Sequence, residues 1–303
     1  MRIASLSIKF LAAFLLLTLS TPAGANVPIG RPENADAVSP GDATQAPEQI
    51  HPDSEKVSIA PHRAIYKMTL ASVKNGSNIT DVSGQMMFEW SDACDGWAVQ
   101  QRLQLHFSYA EGDETNVNST VISWESKDGK HYNFNVRRVS NDKETEVYRG
   151  KATLAEDGTG TVIYTDPKSK EVKLSEGTIF PSTHTMLVIQ KALAGEKLFT
   201  RRVFDGSDED GSDDISVFVG PEASELQKAE LSPDLRSNSL LNQPAWPIRM
   251  AFFKLDTETG EPDYEMNLLL QSNGIARTMR IDYGDFSVSG TLTNLEALPS
   301  SGC

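Results

Sequence analysis

The residues able to do chemistry in this chain fall into three sets. Cys94 and Cys303 are its two thiols, and Asp205 to Asp214 (DGSDEDGSDD) is its densest carboxylate cluster. The imidazoles are His51, His62, His106, His131 and His184. Two sulfurs cannot build a four-cysteine zinc site, and their separation is not the CxxC spacing of a redox pair. The acidic run offers hard oxygen donors suited to Ca²⁺, with Asp205, Asp208 and Asp210 as the candidate ligands. No EF-hand register fits it, because placing the required glycine at Gly211 puts Gly206 first and Val217 last. The simpler reading is a solvated hairpin loop between a strand ending at Phe204 and one starting near Ile215. His184 could act as the base of a hydrolase with nearby carboxylates. That role lacks a G-x-S-x-G elbow, an H-E-x-x-H helix and any histidine pair at i, i+4. No phosphate-cradling or dinucleotide motif is present, and no basic stripe with interleaved aromatics. The motifs therefore indicate no catalytic residues, no cofactor, no established metal site and no nucleic-acid partner.

The elements that would position these groups read mainly as strands. From Trp97 to Phe107, residues Trp97, Val99, Leu103, Leu105 and Phe107 share one parity, opposite Gln100, Arg102, Gln104 and His106. Side chains alternate across a strand, so this is a half-buried antiparallel strand. Similar stripes run through Ala64–Leu70, Tyr132–Val136, Ile248–Phe252, Tyr264–Leu270, Ile275–Tyr283 and Phe286–Leu292. Asn75-Gly76, Asp95-Gly96, Asp128-Gly129, Asp157-Gly158 and Asn273-Gly274 supply hairpin turns between them. About a dozen or more strands at short spacing must curl or close to manage their edges. One segment breaks the period: Ser182 to Ala194 places Met186, Ile189 and Leu193 at helical spacing, with His184 in its first turn. Ser182 is the expected N-cap and Gly195 the stop. The fold class is thus an all-β, mainly antiparallel curled sheet, a β-spiral or open barrel. One amphipathic helix covers or fills its lumen. The Pro221 to Pro244 loop is long and polar, with Leu226 and Leu231 as anchors and a short helix expected around Ser224 to Glu230.

The N-terminus carries Arg2 and Lys9, an apolar stretch from Phe10 to Leu19 and the small-residue site Ala23-Gly24-Ala25. That order is the pattern of an export signal, and its apolar stretch is short for a bilayer span. The expected organisation is a signal peptide at 1–25, a disordered Pro/Ala/acid-rich tether at 26–56 and a single β domain at 57–303. Removing two cations and no anion takes the net charge from −14 to −16. An acidic balance argues against a general binder of nucleic acid or anionic membranes. A hydrophobic share of 39% over 303 residues excludes wholesale disorder. No later segment reaches membrane-spanning length, so the rest of the chain is expected to be exported and soluble. An exported, oxidising setting favours a disulfide between Cys94 and Cys303, which would pin the last residue of the chain. The aromatic and methionine stripes read as core, but a curled sheet around a helix can also enclose an apolar cavity for a lipid.

The order of motifs resembles the alphaproteobacterial periplasmic cell-envelope-integrity proteins of the EipB type, a family long catalogued as a domain of unknown function. The resemblance is carried by APHRAIYKMTL (60–70), CDGWAV (94–99), FPSTHTMLVIQKALAGE (180–196) and VFDGSD (203–208). WPIRMAFF (246–253) and DYGDFSVSGTLTNLEALPSSGC (282–303) complete it. It implies a spiral β-sheet with a helix inside, a Cys94–Cys303 disulfide, and a role in envelope integrity with a periplasmic tetratricopeptide-repeat protein as associate. It carries over no catalytic activity and no ligand. The resulting expectation is a non-enzymatic periplasmic protein that binds a protein or envelope component. The alternative is a carrier for a lipid acyl chain or lipoprotein anchor, and the third reading is the His184 hydrolase.

Overall fold

The structure is a computed structural model, and it describes residues 57–224, 231–255, 260–300 and 302. The expected signal peptide and tether, Leu226 and most of the expected 224–230 helix lie outside the described residues, as does Cys303. Fifteen strands occur among the described residues. The first eight are β1 (His62–Val73), β2 (Ile79–Asp92), β3 (Gly96–Tyr109), β4 (Glu114–Ser126), β5 (His131–Ser140), β6 (Lys143–Leu154), β7 (Gly160–Asp166) and β8 (Lys170–Leu174). After β9 (Thr178–Ile179) comes the helix α1 (Pro181–Leu193). The rest are β10 (Leu198–Val203), β11 (Asp213–Val219), β12 (Ala245–Lys254), β13 (Tyr264–Gln271), β14 (Ala276–Asp282) and β15 (Phe286–Ala297).

All fifteen belong to one sheet, ordered β8-β7-β6-β5-β4-β3-β2-β1-β15-β14-β13-β12-β11-β10-β9. Nearly every neighbour is a hairpin partner; β1 and β15 join the two halves, and only β9 runs parallel to its partner. Local sequence explains the hairpins. Gly76, Gly129, Gly158 and Gly274 take positive φ at their turns, a backbone region that residues with a Cβ rarely adopt. The β5–β6 turn uses Asn141 (φ 47°) and Asp142 (φ 63°) instead, two residue types that tolerate that region. The Asp95-Gly96 turn behaves otherwise than its sequence suggests. Cys94 takes the positive φ of 64°, while Gly96 is the first residue of β3.

One face of this sheet is apolar along its whole width, so the sheet curls and buries that face as a lumen. The chain fills the lumen with three of its own segments. The long loop contributes Leu231, Leu235 and Leu241, which pack among Tyr66, Met68, Met86 and Phe107. Helix α1 contributes Val188, Ile189 and Ala192, packed on Trp90, Val217, Trp246 and Ile248. Phe180, just before α1, and Phe204, just after β10, pack on Tyr132, Phe134 and Tyr164. These aromatic contacts tie β5–β7 to segments that belong to the far end of the strand order, and so draw the two ends of the sheet together.

The helix arrives with a different cap from the one the sequence suggested. Its N-cap is Phe180, whose side chain cannot accept, and Ser182 lies inside the first turn. Glu125 of β4 replaces it. Its buried carboxylate accepts the Ser182 N–H at 2.7 Å and the Thr183 N–H at 2.8 Å, and the Thr183 hydroxyl at 2.5 Å. A negative charge at orphan helix N–H groups is favourable, and here it fixes α1 to a strand across the lumen. Burial pushes the Glu125 carboxyl above its usual range, against the lowering effect of these donors. Glu125→Ala is expected to cost about 1–3 kcal/mol, because it orphans buried donors. Urea unfolding should show it as a lower midpoint.

Candidate functional site

Besides the Glu125 cap of α1, two clusters of polar residues lie inside the lumen, and each immobilises a loop. At the seam, the acidic run is not a solvated hairpin loop: Gly206, Ser207 and Asp208 are buried. The loop enters the lumen because its carbonyls meet donors from β5–β8. Tyr132 donates to the Asp205 carbonyl at 3.1 Å, and Arg138 Nη1 to that of Ser207 at 3.1 Å. Tyr164 donates to the Asp208 carbonyl at 2.6 Å, and Lys170 Nζ to that of Glu209 at 2.9 Å. Arg138 is fully buried and also pairs with Glu146.

The carboxylates of this run converge on an ammonium group. Lys254 Nζ sits 2.5 Å from Asp208 Oδ2, 3.0 Å from Asp213 Oδ1 and 4.0 Å from Asp210 Oδ2. Burial lowers the Lys254 pKa, but Asp208 and Asp213 outweigh it and raise the value above the usual lysine range. Burial pushes Asp213 up to about 7 against the pull of Lys254, with Asp205 and Asp208 adding to the rise. Burial likewise raises Asp205. Of the three candidate cation ligands, Asp208 therefore bonds to Lys254, Asp210 is exposed at its edge, and Asp205 accepts the Ser207 N–H at 2.9 Å. The chain's own cation occupies the centre where these candidates would have held Ca²⁺. Sequence periodicity could not reveal Lys254, which lies 40 residues beyond Asp214 at the end of β12.

The second cluster holds the long loop. Buried Arg277 donates from Nη2 to the Leu241 carbonyl, and from Nε to Gln271 Oε1 at 2.5 Å. Gln271 and Asn273 each donate to the Leu240 carbonyl at 2.8 Å. These bonds satisfy the carbonyl end of the short 3₁₀ turn Ser239–Leu241 and keep its leucines in the lumen.

On α1, His184 and Ile189 are buried and Met186 is partly buried, all facing the lumen side. Leu193 is not a lumen residue: it is 41% exposed, and Ala192 takes the inward position one residue earlier. Burial, aided by the Arg201 charge, drops His184 to about 4, so it is neutral at pH 7. Its Nε2 has no partner, and its ring lies 6.4 Å from that of Phe199. No carboxylate orients it among the described residues, so the base–acid pairing a hydrolase needs is not assembled there. Cys94, at the β2–β3 tip, is not a free thiol; Cys303, its expected partner, lies outside the described residues.

Two concavities open on the outer face of the sheet. One, of about 690 Å³, spreads over β11–β15 between Phe218, Arg249, Leu269 and Arg280. The other, of about 340 Å³, lies over β4–β6 among Thr120, Asn135, Arg137 and Arg149. Outward parity places these side chains opposite the buried stripe, and no periodicity argument would have singled them out.

With the Asp213 carboxyl raised in the fold, the folded state holds a proton that the unfolded chain has released above about pH 4. That contribution to stability is therefore full at acid pH and lost as pH rises through 7. The unfolding free energy of wild type relative to Asp213→Asn should grow as pH falls from 7 to 5, read by urea titration. Lys254→Met should cost about 3–5 kcal/mol at neutral pH, since it strands buried carboxylates.

Comparison with known proteins gives a consistent placement. The family model described as EipB-like matches residues 53–299. The chain is 34% identical over 247 residues to the cell envelope integrity protein EipB of Brucella abortus (strain 2308), covering 79% of this chain and 85% of that protein. It also matches the crystal structure of a β-barrel-like protein of domain of unknown function DUF1849 from Brucella abortus, with a TM-score of 0.74 and 30% identity. That match covers 80% of this chain and all of the other.

Proposed function

Since this chain belongs to the EipB-like family, we propose that it is a non-enzymatic protein that supports cell-envelope integrity from the periplasm by binding a protein or an envelope component. The observation that carries the reading is the 34% identity to the Brucella envelope integrity protein across 79% of the chain. The interior adds support. Its charged groups are spent on holding the chain's own loops, and His184 is neutral, with no orienting acid among the described residues. A partner would then meet the outer face or the loop ends. A periplasmic tetratricopeptide-repeat protein is one such partner.

A second reading, the acyl or lipoprotein-anchor carrier, draws on Leu231, Leu235 and Leu241. These leucines occupy an apolar lumen on a segment held there largely through its backbone carbonyls. A carrier would have to displace that segment, so this reading stands behind the first. The export signal at 1–25 and the Cys94–Cys303 bridge belong to the proposal as well.

Deleting the gene should sensitise cells to detergent and to cell-wall antibiotics, and unchanged resistance would refute the role. Native mass spectrometry of the periplasm-purified protein should show the bare polypeptide mass; a stoichiometric lipid adduct would promote the carrier. Cys94→Ser should lower unfolding stability by about 2–5 kcal/mol under oxidising conditions. Equal melting temperatures would remove the bridge from the proposal.

A further inference from the structure

The outer face of β3–β7 differs in charge from the rest of this acidic chain. Cross-strand register aligns Arg102 with Thr120 and Arg137 in one row. The next row sets Ile122 beside Asn135 and Arg149. A third sets Trp124 beside Asn133, Lys151 and Ile163. Four cations thus share three adjacent rows. Arg137 and Arg149 pair with Glu144 and Asp166, in exposed bridges of little strength. Arg102 and Lys151 have no carboxylate within ion-pair distance among the described residues. Arg102 instead lies 2.8 Å from the Gln100 amide oxygen when that group is turned toward it. In a chain of net charge −14, this is a local positive surface.

Two further features mark it as a recognition surface. The indole of Trp124 lies across Gly96, where an added Cβ would come within 2.3 Å of Trp124 Nε1. Gly96 has no positive φ to explain it, so its service is to leave room for the ring. Ile122 and Ile163 are 46% and 55% exposed on either side of the amide row. A groove of about 340 Å³ on this face is lined by Thr120, Asn135, Arg137, Glu144, Val147 and Arg149. The adjoining rows add Trp124, Asn133, Arg102 and Lys151, so ring stacking, hydroxyl hydrogen bonds and oxyanion pairing are offered on one surface.

We infer that the outer face of β3–β7 binds a linear glycan bearing carboxylate groups. Trp124 stacks on a sugar ring, Asn133 and Asn135 bond its hydroxyls, and Arg102 and Lys151 pair with its carboxylates. A lipid surface suits the face less well, because the amides Asn133 and Asn135 occupy the same rows as its cations and interrupt its apolar side chains. The inference rests on the envelope-binding reading and deepens it by naming the component.

The test uses purified protein with polygalacturonate as the acidic glycan, dextran as the neutral one and phosphatidylglycerol vesicles as the anionic membrane. Calorimetry should find binding to polygalacturonate and none to dextran. Arg102→Ala with Lys151→Ala should weaken that binding about tenfold at unchanged melting temperature. Trp124→Ala should weaken it comparably, and Trp124→Phe should retain most of it. Equal affinity for both glycans, unchanged affinity in the charge variant, or binding to vesicles alone would overturn the inference. A deletion strain without an envelope phenotype would instead remove the reading it rests on, so the two failures are separable.

Discussion

Everything in this molecule follows from one constraint: a fifteen-stranded sheet with a single apolar face cannot lie open in water. Curling hides that face, but it creates a lumen that side chains on the wall alone do not fill. The chain answers with its own interruptions. The α1 excursion, the 205–212 loop and the 231–241 segment all leave the sheet and return into its interior. Each interruption thereby becomes core, and the two ends of the strand order are held by packing where no ladder joins them.

Backbone carried into an apolar interior brings carbonyls and N–H groups that must find partners. That requirement accounts for the buried polar residues. Glu125 serves the amide end of α1, Arg277 with Gln271 and Asn273 serves the carbonyls of the long loop, and Tyr132, Arg138 and Tyr164 serve those of the acidic run. Lys254 then neutralises the side chains that the acidic run brings inside. Buried ions are expensive to desolvate, so these clusters gain little stability over an apolar filling. What they specify is position, since the charged partner on the wall accepts one loop geometry and leaves others unpaired.

The strands were legible from the sequence because alternation is a local signal. The Trp97–Phe107 stripe falls within β3, and glycines at 76, 129, 158 and 274 mark real turns. The helix was legible for the same reason. Its cap was not, because Glu125 lies 56 residues before Pro181 and no spacing rule links a strand carboxylate to a distant helix end. The acidic run misled for a related reason. Ten residues rich in aspartate look solvated until two tyrosines, an arginine and two lysines from four other strands are brought to them. Gly96 misled too: beside Asp95 it reads as a turn glycine, yet Trp124 above it is the reason no side chain fits.

By itself, then, the sequence determined the periodic elements, their hairpin order and the family to which the chain belongs. These depend on neighbouring residues, or on residues kept in one order along the chain. Only the tertiary structure decided which polar groups are internal struts and which face outward as a surface for partners. A strand's alternation says that two faces differ, while curvature decides which face is closed off. The same curvature turned an apparent cation site into a buried lysine clamp, and it left Arg102, Lys151 and Trp124 together on the outside.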